Sequence, residues 1–202
     1  EVAIGLGYDN LPEQLPREAT FGKALESRKL GDSCRETMLG IGFQEVATLT
    51  LTSSKMLHEI TERENDNEAT VSNPVTEDYH MLRSSILPNL LELLKNNKHR
   101  ELPQRVFEFG DVVKEHSNHK SLAWMELATK STFSNAKSTA EIISQRLGLS
   151  GDNEDCEDPI FISGRCVQIK EKDSLLKYGE IHPRILEELE IGYPAIGGEI
   201  HW

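Results

Sequence analysis

The groups in this 202-residue chain that could do chemistry are its histidines, its three cysteines and an excess of carboxylates. The run Asp152-Asn153-Glu154-Asp155-Cys156-Glu157-Asp158 carries enough oxygen ligands to interest a hard cation. It lacks the D-x-D-x-D-G spacing of a calcium loop, so a solvated surface loop is expected. His116 and His119 stand three apart, which permits metal ligation, but no third ligand is near, and Ser117 and Asn118 between them predict a hairpin connection. His182 precedes Pro183 and reads as a turn or packing residue, since no nucleophile or partner carboxylate is indicated for a general base. Cys34, Cys156 and Cys166 are odd in number and contain no C-x-x-C pair. That pattern argues against a disulfide framework or a cysteine zinc site and predicts a reducing cytoplasm. No G-x-x-x-x-G-K-[ST], G-x-S-x-G or H-E-x-x-H occurs. Gly197-Gly198 has no helix after it and reads as a bulge or bend in a strand, not a phosphate cradle. The residues alone offer no catalytic set.

The elements that must position these groups follow from periodicity. Leu30, Cys34, Met38 and Ile41 fall at i, i+4, i+8 and i+11, one apolar stripe of a helix that Gly42 closes. Phe43 to Leu51 is rich in β-branched residues and predicts a strand. Ser53 or Ser54 can cap a short helix carrying Met56, Leu57 and Ile60, and 62–68 predicts an exposed charged loop. Ser84 or Ser85 can cap a helix with Pro88 in its first turn and Leu87, Leu90, Leu91 and Leu94 on its buried face. Strands are expected at 105–113, 122–129, 160–171, 175–181 and 195–202, with helices from Ser134 and Pro183 between them. Strands outnumber the available crossover helices, so most must pair antiparallel, which predicts an α+β class.

A net charge of −12 disfavours a nucleic-acid clamp. No apolar run approaches the roughly 20 residues that span a bilayer, and the N-terminus lacks a basic-then-apolar leader, so no membrane partner is expected. The first twenty residues, with Pro12 and Pro16, read as a linker inside a longer protein.

Six segments, in order, carry a family resemblance: 4–12 (IGLGYDNLP), 42–46 (GFQEV), 72–74 (SNP), 82–91 (LRSSILPNLL), 105–113 (RVFEFGDVV) and 179–183 (GEIHP). Together they resemble the archaeal and eukaryotic type of phenylalanyl-tRNA synthetase beta subunit. The resemblance implies a class II aminoacyl-tRNA synthetase-like antiparallel sheet flanked by helices over 21–202. Residues 1–20 are then a linker or the end of a preceding magnesium-binding domain. It also implies a module without catalysis, whose alpha subunit does the chemistry in an (αβ)2 assembly that charges tRNA(Phe) using ATP and Mg²⁺.

Three family motifs can be checked against these residues. Leu30 to Leu51 has the helix-strand form of the first, but no proline follows Glu45-Val46. Lys114 stands where the second motif's ATP-gripping arginine is expected, and lysine cannot offer a bidentate fork. The stretch 193–202 has the third motif's glycines but no arginine. Tight binding of ATP or Mg²⁺ by this chain is therefore not expected. Glu1 falls on the last acidic ligand of the upstream magnesium site that the resemblance implies. The two apolar stripes, Leu30, Cys34, Met38, Ile41 and Leu87, Leu90, Leu91, Leu94, are candidates for contact with the alpha subunit, and equally for plain core. The rival reading is an independent class II-like enzyme that adenylates an amino acid, which retained motif arginines would favour.

Overall fold

The computed structural model describes residues 1–15, 21–64 and 68–202, with only the backbone of Glu77. Near the N-terminus a five-residue helix, α1 (Val2–Leu6), buries none of its residues. Helix α2 (Glu26–Gly40) carries the first apolar stripe. Gly42 at φ 84° reverses the chain, and the Phe43 N–H returns to the Met38 carbonyl at 3.0 Å. Glycine suits that position because a Cβ would disfavour the left-handed conformation.

The strand expected over 43–51 is shorter than its β-branched content suggests. Only Gln44–Glu45 (β1) and Leu51–Thr52 (β2) form. Between them the chain leaves the sheet because Thr48 is drawn to the buried Glu108, giving its N–H at 3.1 Å and its hydroxyl at 2.7 Å to Oε2. A π-helical turn at Lys55–Glu59 follows, and Ser53 Oγ accepts the Met56 N–H at 3.2 Å as the capping pattern predicts. β3 (Met81–Leu82) pairs antiparallel with β2. Helix α3 (Leu87–Asn96) has Pro88 in its first turn.

The remaining elements are β4 (Gln104–Lys114), β5 (Ser117–Leu127), α4 (Phe133–Leu147), β6 (Asn153–Asp155), β7 (Phe161–Glu171), β8 (Ser174–Ile181), α5 (Pro183–Glu188) and β9 (Ala195–His201). Thr132 caps α4 in a reciprocal box with Asn135, and Gly148 ends it in the left-handed conformation. The seven-stranded sheet runs β1-β4-β5-β9-β8-β7-β6, antiparallel except for the β1–β4 pair. The α+β expectation holds.

Helices pack both faces of that sheet. Leu87, Leu90, Leu91 and Leu94 of α3 join Ile185 and Leu186 of α5 over one face. Cys34 and Met38 of α2 join Ala136, Ala140 and Ile143 of α4 over the other. Each large apolar side chain so buried contributes about 1.5–3 kcal/mol. This settles the role of most of the two stripes. Cys34, Met38, Leu90, Leu91 and Leu94 are 0% exposed and Leu87 1%, all within this chain. Having no surface left to offer a partner, they are core, and as interface residues those six expectations are corrected. Only Leu30 and Ile41 remain half-buried.

Two local expectations change for packing reasons. Gly197 and Gly198 form no bulge: they sit in unbroken register between Met125 and Trp124 on one side and Gly179 and Tyr178 on the other. A Cβ on Gly198 would lie 2.9 Å from the Lys177 carbonyl and 2.9 Å from the Trp124 ring, so glycine is what lets the central strand close. The acidic run is not wholly a solvated loop. Asn153–Asp155 form the edge strand β6, while Cys156 and Asp158 turn inward and are buried.

Candidate functional site

Alternation along the central strands sends Lys114, Ser121, Lys177, Glu199 and His201 to the α3 side of the sheet, at the end where β4 turns into β5. The turn is only two residues long, Glu115 and His116, both at positive φ (49° and 61°). Beside it opens a cleft of about 920 Å³, lined by Lys114, Lys177 and His201 and by His58, Arg63, Glu68, Ser85 and Asp158, with Ser121 and Glu199 buried beneath. His116 thus lies at the rim. His119 points elsewhere, with Nδ1 3.3 Å from the Trp202 carbonyl oxygen, and the pair does not converge on a metal.

A continuous polar network forms the floor. Glu199 is almost wholly buried and accepts from Ser121 Oγ at 2.6 Å, Ser85 Oγ at 2.5 Å and the Ile86 N–H at 2.8 Å. Its carboxylate therefore serves the amino end of α3, where backbone donors lack partners and the helix dipole favours negative charge. The sequence pointed to Ser84 or Ser85 as that cap. Instead Ser85 gives its hydroxyl to Glu199, and Ser84 gives its own to Glu68 at 3.1 Å. Burial pushes the Glu199 pKa up, but His201 and the donated hydrogen bonds outweigh it, and the pKa falls below the usual carboxylate range.

Ser85 also accepts from Arg63 Nη1 at 3.0 Å, which extends the network. Arg63 then clamps Asp158 with both arms, Nε–Oδ1 at 3.1 Å and Nη2–Oδ2 at 2.9 Å. Lys177 adds a third contact to Asp158 Oδ2 at 3.2 Å. Burial raises the Asp158 pKa, but Arg63 and Lys177 overcome it and hold the carboxyl down. Lys114 differs from these cations. Among the described residues its ammonium group has no ion-pair or hydrogen-bond partner, and burial lowers its pKa, with Arg63 and Lys177 adding to the effect against Glu199. On the opposite wall His58 Nε2 lies 3.3 Å from Glu68 Oε2, both side chains being at least nine-tenths buried.

A nucleotide phosphate would need a free bidentate donor here. The arginine lining the cleft already spends its fork on Asp158, and Lys114 cannot replace it. The residues present therefore do not fit an ATP phosphate. Among the described residues no three His, Cys, Asp or Glu side chains converge, and Glu1 is exposed ahead of α1. His182 keeps the turn role expected of it, accepting the Arg184 N–H on Nδ1 at 3.2 Å at the start of α5.

A family model described as the phenylalanyl tRNA synthetase beta chain CLM domain matches residues 11–202. The chain belongs to that family. The phenylalanine–tRNA ligase beta subunit of Archaeoglobus fulgidus is 36% identical over 204 residues, covering 99% of this chain and 37% of the relative. That of Methanospirillum hungatei is 38% identical over 204 residues, with the same coverages. The chain thus spans a little over a third of the length of these relatives. Among solved structures it is similar to a pyrrolysyl tRNA synthetase of Desulfitobacterium hafniense, at a TM-score of 0.68 and 19% identity over 87% of this chain and 66% of the other. That likeness establishes the class II synthetase fold. No described helix is long and apolar enough to cross a membrane.

Sequence reasoning missed the parts of this site that come from far apart in the chain. Arg63, Ser85, Asp158 and Glu199 carry no shared motif, and Arg63 sits in a stretch that reads as an exposed loop. The one available signal was the burial-prone spacing of Glu199 within an apolar strand.

Proposed function

We propose that this chain is a structural, catalytic-like module of a phenylalanyl-tRNA synthetase beta subunit, working beside an alpha subunit that carries out ATP-dependent charging of tRNA(Phe). One observation carries the non-catalytic part: the guanidinium of Arg63 is committed to Asp158 at 2.9 and 3.1 Å, so the cleft's bidentate group faces the protein's own carboxylate. Adenylyl transfer depends on cations free to meet developing phosphate charge. Here they are neutralised in place, and the remaining cation is a lysine. The rival reading, an independent amino-acid-adenylating enzyme, needs a free fork and loses on the same observation. ATP, Mg²⁺ and phenylalanine belong to the complete enzyme, an (αβ)2 assembly in the cytoplasm, and tRNA(Phe) meets the whole enzyme. In the intact beta polypeptide, Glu1 would complete an upstream magnesium site.

Calorimetric titration with ATP and Mg²⁺ tests the reading. No measurable heat of binding is expected, and tight Mg²⁺-dependent binding would overturn it. Co-expression with the alpha subunit should yield a complex on size-exclusion chromatography. Failure of the intact beta polypeptide to form one would remove the scaffold role.

A further inference from the structure

Two thiols meet at the edge of the sheet, in a place the reading above does not use. The β6–β7 register pairs Asp155 with Val167, and the next pair is Cys156 with Cys166, whose N–H to carbonyl bond measures 3.3 Å. Both side chains belong to the apolar cluster on the α3 face, so they project to the same side. The two thiols are close enough for each to shift the acidity of the other. Directly hydrogen-bonded residues on antiparallel strands have Cα atoms about 5.5 Å apart. That lies within the ~4.4–6.8 Å that a disulfide spans. Cys34 is buried in the cluster on the opposite face and cannot reach either.

We propose that Cys156 and Cys166 form a reversible redox modification site, closing to a disulfide when a hydroperoxide oxidises them. The roles of the two sulfurs differ. The Cys166 side chain, helped by the nearby charge of Lys177, lowers the Cys156 pKa against the opposing effect of burial. The Cys156 side chain in turn raises the Cys166 pKa, and burial raises it further. Cys156 is accordingly the attacking thiolate. It displaces hydroxide from hydrogen peroxide and becomes a sulfenic acid, and the hydroxide takes up a proton to leave as water. The Cys166 thiol then attacks the sulfenic sulfur. The S–S bond forms, the S–O bond breaks, and a second water leaves with the Cys166 proton. Two thiols are oxidised and one peroxide is reduced to two waters.

Access is built into the fold. Both cysteines are nearly covered, at 6% and 4% exposure, but β6 is the outermost strand, only three residues long and exposed throughout. Such an edge segment opens locally at little cost. The modification also has a structural address, because Asp158, two residues beyond Cys156, anchors Arg63 and Lys177. Fixing Cys156 to β7 fixes the start of that cleft wall.

The test treats the folded protein with hydrogen peroxide, alkylates the remaining thiols in denaturant and maps the peptides by mass spectrometry. One Cys156–Cys166 link is expected, lighter by two hydrogen atoms and reversed by dithiothreitol. Cys34, whose thiol burial pushes up to about 12, should remain alkylatable. Cys166→Ser should abolish the link and leave Cys156 as a sulfenic acid that a dimedone probe traps. The wild-type mapping stands even if that variant folds poorly. Three unmodified thiols, a link through Cys34, or links between molecules would each overturn the proposal.

Discussion

Arg83 and Glu108 meet at 2.7 Å with side-chain exposures of only 2% and 6%, an ion pair taken almost entirely out of water. Arg83 also reaches the Asp111 carbonyl at 3.0 Å and Thr48 Oγ1 at 2.8 Å. Gly110 makes room for it, since a Cβ there would stand 2.6 Å from the guanidinium. Arg83→Ala should cost about 3–5 kcal/mol, because it leaves a carboxylate buried and unpaired. The paired replacement Arg83→Met with Glu108→Leu should cost less than the single one. Urea denaturation of the three proteins checks the order. A double variant less stable than the single would show that the pair is worth more than its desolvation.

His201 makes stability depend on acidity. Burial lowers its pKa from the ordinary 6.5 to about 4, with Lys114, Arg63 and Lys177 adding and Glu199 opposing. Between those values the unfolded chain binds a proton that the folded one does not, so stability falls as pH drops from 6.5 toward 4. Glu199 and Asp158 act lower on the scale. Their depressed pKa values stabilise the fold above the ordinary carboxylate range, and that contribution disappears as pH falls through the depressed values. Melting temperatures measured across this range should decline for the wild type. For His201→Gln they should be flatter between 6.5 and 4, and an unchanged slope would rule His201 out as its source.

Gly198→Ala tests the closeness of the central strands. The added methyl would press on the Lys177 carbonyl, the Trp124 ring and Tyr178 Cβ, all at 2.9 Å. A loss of about 1–3 kcal/mol is expected from overpacking. Near-ultraviolet circular dichroism should change with it, because Trp124 is displaced. Gly148→Ala, beyond the end of α4, meets nothing within 4 Å and should cost only the strain of its positive φ.

Asp158→Asn should weaken the fold and free charge at once. The substitution leaves Arg63 and Lys177 without their carboxylate. A loss of about 1.5–3 kcal/mol matches a lost charged hydrogen bond. The variant should also gain measurable affinity for inorganic phosphate relative to wild type, by calorimetry. Equal phosphate binding in both proteins would show that Asp158 does not mask those cations.

Much of the fold could be read from the chain because its signals are local. The Leu87–Leu94 stripe, the glycine at 42 and the first-turn proline at 88 each report a neighbourhood of a few residues. Distant partnerships carry no such imprint. The strand predicted beyond Val46 fails because Thr48 answers to Glu108, sixty residues on. The α3 cap fails because Glu199, more than a hundred residues on, outcompetes the local serines. Asp158 looked solvated because five of the seven residues in its run are charged, whereas its buried position is decided by Arg63 across the cleft. The apolar stripes illustrate the converse. Periodicity established that they face something, and only the sheet behind them showed that the partner is internal.

The two ends of the large sheet share a further property. Its outer strands are only two and three residues long, Gln44–Glu45 and Asn153–Asp155, and together they bear three carboxylates. A free edge of backbone amides and carbonyls is a template for any passing strand, and short charged borders deny it length. The fold therefore carries its own protection against strand-by-strand stacking into fibrils. Its concentrated solutions should stay clear as long as those borders keep their charge.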